Sequence, residues 1–193
     1  TPYASCEVLE EVYSKKLATS KDDISAINKM VMTMYKGGCL SSPVFKEALQ
    51  VLHNANPNRN TAFWMGNLSL KSYANTKDNA ELEAAIQYLQ AAVDLSETNE
   101  QRADANFTIA VAYQLKGAFS EARNAAYAAL KANPNMGRAY ILIGKLYAAS
   151  AGRCSGEDLP LACCWAAADK YAKAVAVDPS CANEANKERA KMR

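Results

Sequence analysis

Histidine is almost missing from this sequence: His53 is the only one among 193 residues. A catalytic or metal site that needs two imidazoles is therefore excluded. No C-x-x-C pair occurs either, which removes the usual zinc knuckle and the usual dithiol redox centre. The adjacent Cys163 and Cys164 cannot both ligate one metal ion easily. We therefore expect no metal, no cofactor and no catalytic residue, and hence a protein that is not an enzyme.

Neither a charge excess nor a long apolar run is present. Lys and Arg number 22 against 20 Asp and Glu, a balance that argues against nucleic acid as the partner. No run of about 18 apolar residues exists, so we expect no membrane-spanning segment. Half of the residues are apolar, which is enough for a folded core. The chain begins without Met, and we expect it to be a segment of a longer protein.

What the sequence does contain is helical periodicity and alanine. Apolar residues recur at helical spacing, first in Leu9, Val12, Tyr13 and Leu17, then in Ile24, Ile27, Val31 and Tyr35. Gly37 and Gly38 end the second stripe, and Ser42-Pro43 begins another helix. Asn-Gly hairpin turns and sustained alternation are absent. The sequence therefore predicts one all-α domain of short paired helices.

Two segments repeat the same spacing. In the first, Ile109, Ala110 and Tyr113 are followed by Pro134, which lies 21 residues after the tyrosine. In the second, the corresponding positions are Tyr140, Ile143, Gly144 and Tyr147. This pattern resembles the tetratricopeptide repeat (TPR), a 34-residue helix–turn–helix unit with the same tyrosine-to-proline spacing. The resemblance implies a right-handed α-solenoid of stacked helix pairs, in the style of bacterial cell-envelope members of the family.

The repeat pattern divides the chain into six segments. Tyr147 and Pro179 are 32 residues apart, so the last repeat carries an 11-residue insertion between its helices. The segment NTKDNAE at 75–81 indicates a lengthened turn in an earlier repeat. The predicted segments are 5–22 (the second helix of a truncated repeat), 23–57 (a degenerate repeat), 59–98 (lengthened turn), 103–136, 137–179 (insertion) and 180–193 (a capping helix).

The resemblance also implies a binding face. In TPR proteins the residue after the repeat's tryptophan position, and the residue four later, point into a concave groove. Here these positions give Phe107 with Val111 and Ile141 with Lys145. The register is open in 59–98, where Phe63 or Trp64 is followed by Asn67 or Leu68. Arg138 is a further basic candidate, and the degenerate repeat would contribute Met30 and Met34.

These residues predict a largely apolar groove. We expect a non-catalytic scaffold whose partner is a protein or peptide, in particular an apolar segment or helix. The alternative is an assembly or oligomerisation module of a larger envelope protein, in which self-contacts, including a possible homo-oligomer, fill the groove.

Six cysteines are many for a cytosolic protein of this size. Cys6 and Cys39 lie at the same end of a predicted helical hairpin, so they are expected to form a disulfide. Cys154 flanks the insertion opposite Cys163 or Cys164, which predicts a second one. Cys181 and one of that adjacent pair would stay free. Disulfides would place the protein in the periplasm, at the cell surface or outside the cell; if all the cysteines are thiols, the cytoplasm is the alternative.

Overall fold

A computed structural model describes residues 5–19, 21–151 and 159–191. Those residues form ten α-helices, one short 3₁₀ turn and no strand. The helices are α1 (Cys6–Thr19), α2 (Ile24–Lys36), α3 (Pro43–Ala55), α4 (Arg59–Thr76), α5 (Asn79–Asp94), α6 (Asn99–Lys116), α7 (Phe119–Ala132), α8 (Gly137–Ala151), α9 (Leu159–Val177) and α10 (Ala182–Ala190).

The helices stack in chain order as pairs. Each first helix (α2, α4, α6, α8) packs against the second helix that follows it (α3, α5, α7, α9). The first helices also contact one another, α4 with α6 and α6 with α8, and α10 contacts α8 in the same way. The predicted all-α solenoid is confirmed. Within the described residues, no helix is long and apolar enough to cross a membrane.

Polar side chains fix the helix boundaries. Asn58 and Thr61 form a capping box at the start of α4, and Thr98 and Gln101 form another at the start of α6. α6 therefore begins at Asn99, four residues before the predicted segment 103–136. Its first turn is polar and gives no apolar signal in the sequence. Gly117 ends α6 with φ of 77°, a conformation that glycine adopts without strain.

Helix pairs approach closely where a first helix carries glycine. A Cβ built on Gly66 would lie 2.6 Å from Cγ of Leu89, and one on Gly144 would lie 2.5 Å from Cε1 of Tyr171. Gly66 and Gly144 thus each pack directly against a large side chain of the paired second helix. Ala110 holds the equivalent position in α6 and is fully buried. The repeat pattern predicts small residues at these positions.

The α4–α5 connection differs from its prediction. Only Lys77 and Asp78 separate the two helices, so the turn is no longer than the two-residue turn between α6 and α7. The additional residues lengthen the helices instead. α4 runs ten residues beyond Gly66, whereas α6 runs six residues beyond Ala110. The polar residues that indicated a loop are caps: Asp78 accepts from the amide of Ala80.

Candidate functional site

A groove lies across the first helices α4 and α6 and the start of α8. Its volume is about 460 Å³. Phe107 and Val111 of α6 line it together with Phe63 of α4 and Arg138 of α8. Four of the residues selected from the sequence therefore lie together. Asn67 lines the groove too, four residues after Phe63, so the groove uses the register of Phe63 and Asn67 in α4.

Two arginines stand over the phenylalanines of the groove. The guanidinium of Arg59 lies 4.5 Å from the ring centroid of Phe63, and that of Arg138 lies 4.6 Å from the ring of Phe107. Arg138 also pairs with Asp104 of α6, so α8 is joined to α6 across the groove. The groove thus combines aromatic rings with the Arg138–Asp104 ion pair.

Arg59 is held between α4 and α6. Its Nη2 donates to the carbonyl oxygen of Gln101 at 3.4 Å, while its Nε is buried and has no hydrogen-bond partner among the described residues. Burial lowers the pKa of Arg59, and the nearby Asp104 carboxylate opposes that shift. One donor of this guanidinium is therefore buried without a hydrogen-bond partner among the described residues.

A second depression, the aromatic pocket, continues the groove toward α2. Its volume is about 320 Å³. Trp64 and Tyr35 stack there with ring centroids 4.5 Å apart. Among the described residues, no acidic side chain lines this pocket, and Lys71, which bonds Ser41, supplies its positive charge. The full lining is Tyr35, Leu40, Phe45, Phe63, Trp64, Asn67, Leu68 and Lys71.

Solved structures with the same architecture are TPR proteins. The chain matches a crystal structure of MamA with 20% identity and a TM-score of 0.65, over 90% of this chain and 83% of that one. It matches YrrB, described as a TPR protein with an unusual peptide-binding site, with 20% identity and a TM-score of 0.64, over 90% of this chain and 78% of that one. The chain has the TPR fold.

A third TPR neighbour is more distant in sequence. TTC0263, a thermophilic TPR protein of Thermus thermophilus, shares 18% identity and a TM-score of 0.62, over 95% of this chain and 88% of that one. No protein-family model matches the sequence, and no curated protein matches it. At these identities the neighbours establish the fold, and the groove residues must be judged by their own chemistry.

The C-terminal helix of this TPR chain covers the end of the first-helix face. Ile141 is 2% exposed and packs in one cluster with Ala185 of α10. Lys145 pairs with Glu184 of α10 at 2.6 Å and lies 3.9 Å from Glu188. The chain's own α10 therefore covers these two predicted groove residues of α8. The open groove ends near Arg138.

Met30 and Met34 lie elsewhere than predicted. Both are fully buried in the N-terminal core, beside Ile27 and Val31 of the same helix. The apolar stripe that faces the core is thus Ile27, Met30, Val31 and Met34. Tyr35, one residue further, is rotated by about 100° and reaches the aromatic pocket. The sequence pattern places Tyr35 in the core stripe because aromatic residues at this spacing usually face inward.

His53 lies in the last turn of α3, and its side chain is half-buried. Its Nδ1 lies 3.0 Å from Oγ1 of Thr61, and its ring meets that of Tyr88 edge-on at 5.4 Å. Burial lowers the pKa of His53, which favours the neutral ring. The side chain packs across α3, α4 and α5, a tertiary contact that local pattern does not reveal.

The described cysteines include one disulfide. Cys6 and Cys39 form a disulfide, with Cα atoms 5.4 Å apart, that joins the start of α1 to the turn after α2. Cys164 and Cys181 form no disulfide within the described residues, and Cys181 donates to Oδ2 of Asp178 at 3.2 Å. The predicted Cys154 pairing with Cys163 or Cys164 lies outside the described residues. No group of metal-ligand residues occurs within the described ranges.

Proposed function

We propose that the protein is a non-catalytic scaffold that binds a segment of another protein along the groove and the aromatic pocket. The observation that carries this proposal is the convergence of Phe63, Phe107 and Val111 with the Tyr35–Trp64 pair on one continuous face. Two exposed depressions that share Phe63 and Asn67 offer consecutive positions for side chains of one extended or helical peptide.

The chemistry of the face indicates an apolar partner segment. Apolar atoms form most of the surface of both depressions, although the groove also contains Asn67, Asp104, Thr108 and Arg138. Buried aromatic contacts of this kind dominate binding energy in protein interfaces. The YrrB structure, described as having a peptide-binding site, supports peptide binding as a use of this fold.

Peptide selection tests the proposal. Peptides selected from a random phage-displayed library against the wild-type chain would be synthesised and titrated by calorimetry. We expect Trp64→Ala and Phe107→Ala each to weaken binding at least about tenfold, since they remove central aromatic contacts. Leu115→Ala, at an exposed position of α6 that lines neither depression, is the matched control. Selection of no peptide, or equal affinity for all four proteins, contradicts the proposal.

The Cys6–Cys39 disulfide supports an oxidising compartment for this scaffold, such as the periplasm, the cell surface or the extracellular space. Thiol titration of the unreduced, denatured protein purified from its own cell tests this placement. At most four of the six cysteines should react. Six reactive thiols would contradict this placement and favour a cytoplasmic location.

A further inference from the structure

Acidic and basic residues are unevenly distributed along the chain. Residues 24–77, from the first residue of α2 to the residue that caps α4, contain six Lys or Arg and a single acidic residue, Glu47. The rest of the chain contains 16 Lys or Arg and 19 Asp or Glu. Glu47 pairs at 2.8 Å with Lys21, which precedes this segment. The part of the solenoid that holds the aromatic pocket is therefore basic, although the whole chain carries a net charge of only +2.

A third depression, the basic depression, continues the aromatic pocket toward the start of α3. Its volume is about 270 Å³, and it shares Leu40, Leu68 and Lys71 with the aromatic pocket. Lys46 is the second basic residue of its lining, and no acidic residue of the described part of the chain lines it. The remaining lining residues are Ser41, Ser42, Pro43, Ser72 and Asn75. Two lysines thus border an acid-free surface that adjoins the aromatic rings.

The charges of Lys46 and Lys71 are not balanced by neighbouring carboxylates. Neither lysine forms an ion pair among the residues that the structure describes. The Lys71 ammonium has three donors, one of which bonds the hydroxyl of Ser41. The hydroxyl of Ser72 donates to the Glu81 carboxylate at 2.6 Å, and Glu81 itself lies outside the lining. A bound carboxylate would therefore meet two basic side chains here.

The lining of the aromatic pocket discriminates between classes of ligand. Aromatic rings also attract cations, but Lys71 is the charged group of this lining and would repel one. Nucleotide bases carry hydrogen-bonding edges, whose burial against Leu40, Phe45 and Leu68 would be costly. The pocket therefore favours an apolar side chain, and the adjoining lysines favour an anionic group.

We propose that the partner segment carries Asp or Glu close to a bulky apolar residue. The apolar side chain lies in the aromatic pocket, and the carboxylate lies in the basic depression between Lys46 and Lys71. The inference rests on the proposed function, because it names the chemistry of the partner that binds the same face.

The start of α3 favours a side-chain carboxylate over a C-terminal one. C-terminal carboxylates are commonly captured by several free backbone amides. In this depression Pro43 has no amide hydrogen, and the amides of Phe45 and Lys46 already donate to the hydroxyl and the carbonyl oxygen of Ser42. Lysine side chains are therefore the principal donors, and they can reach a carboxylate within a continuous segment.

Matched peptide libraries test the inference. Three phage-displayed libraries of short random peptides share the same apolar residues, and their polar positions hold Asp or Glu, Asn or Gln, or Lys or Arg. Each peptide is joined to the coat protein at its C-terminus, so carboxylates come from side chains alone. The best peptide of each library is then synthesised with both ends blocked and titrated calorimetrically.

The acidic library should yield the tightest binder. Its best peptide should bind at least about tenfold more tightly than the best neutral peptide, because two ion pairs form with the lysines. Replacing its Asp and Glu with Asn and Gln should remove this advantage, and added salt should reduce it. A free C-terminal carboxylate should leave the affinity unchanged.

Charge reversal at the two lysines provides matched variants. Lys46→Glu/Lys71→Glu should lose the preference for acidic peptides and bind the basic library best, because like charges across an interface repel. Lys131→Glu/Lys173→Glu makes the same change in net charge at exposed lysines that line none of the three depressions, and it should behave like the wild type. Circular dichroism melts verify that the variants are folded.

Four results overturn the inference. If the wild type binds neutral or basic peptides as tightly as acidic ones and Trp64→Ala weakens them, the proposed function stands and the acidic partner is excluded. An acidic peptide that binds Lys46→Glu/Lys71→Glu undiminished places its carboxylate elsewhere. A peptide that binds only with a free C-terminus contradicts the side-chain source. A single-stranded RNA oligonucleotide that displaces the peptide and binds more tightly assigns the basic surface to nucleic acid.

A different result contradicts the proposed function itself. If none of the three libraries yields a binder, the face binds no peptide, and the inference fails together with the function on which it rests.

Discussion

The indole of Trp64 stacks on the ring of Tyr35 at a centroid distance of 4.5 Å with the planes inclined by 28°. This contact joins α4 to α2 in the lining of the aromatic pocket. It couples the pocket to the N-terminal core, because Met34, the neighbour of Tyr35, is fully buried there. Tyr35 and Trp64, which we propose contact a ligand, thus also stabilise the packing of α2 against α4.

A double-mutant cycle on this pair should reveal the coupling. Aromatic pairs contribute about 0.5–1.5 kcal/mol beyond the area they bury, so the free energies of unfolding of Tyr35→Ala and Trp64→Ala should not add in the double variant. Denaturant unfolding of the four proteins measures this coupling energy. Strict additivity would mean that the stack contributes no specific energy.

The close approach of α4 and α5 should make Gly66→Ala destabilising. The new Cβ would lie 2.6 Å from Cγ of the buried Leu89, and overpacking of this kind costs about 1–3 kcal/mol. The same substitution in a Leu89→Ala background should cost much less, because the obstructing atoms are gone. Chemical denaturation of the four proteins measures both costs. Equal costs in both backgrounds would show that Leu89 is not the obstacle.

His53 should make the protein less stable as the pH falls below neutrality. Its pKa in the folded state lies below the ordinary value of 6.5, so the unfolded chain binds the proton more tightly. The His53 contribution is therefore complete above pH 6.5 and is lost as the pH falls from there toward the folded-state pKa.

Denaturant unfolding at several pH values between neutrality and the onset of carboxylate titration measures this dependence. The free energy of unfolding of the wild type should decrease as the pH falls, while His53→Gln should give a flatter profile over the same interval. Parallel profiles for the two proteins would exclude His53 as the source.

Reduction of the Cys6–Cys39 disulfide should lower stability. The two residues are 33 positions apart, and a crosslink closing a loop of that length contributes about 2–4 kcal/mol, chiefly by restricting the unfolded chain. Guanidinium unfolding with and without a reductant measures the difference. In Cys39→Ser, the reductant effect of this bond should disappear, and an undiminished effect would assign the sensitivity to other cysteines.

Repetition in the sequence is the strongest source of correct prediction. Gly144 and Tyr113 occupy positions where two helices meet, and because every repeat shares that geometry, their spacing carries the resemblance to the tetratricopeptide repeat from which the fold was predicted. The same register places Phe107 and Val111 on the first-helix face. Such predictions succeed because one local packing solution is used several times along the chain.

Predictions fail where a helix has no regular repeat around it. A one-residue error in register rotates a helix by about 100°, which is enough to exchange the core residue Met34 for the pocket residue Tyr35. Ile141 belongs to the first-helix face but is covered by α10, a tertiary contact outside its own repeat. Arg59 lies four residues before Phe63, and that spacing is the available signal for its position over the ring.

The lengthened α4–α5 hairpin shows which insertions such a fold accepts. Relative to the next pair, α4 gains four residues after Gly66 and α5 gains three before Ala85. Four residues rotate a helix by about 400° and three by about 300°. The side chains beyond each insertion therefore point within about 40–60° of the direction that they would have without it. Insertions whose total is near a whole number of turns can therefore lengthen both helices without lengthening the loop between them. The evolutionary consequence is that growth by about two turns preserves the interior, while an intermediate length must be accommodated as loop.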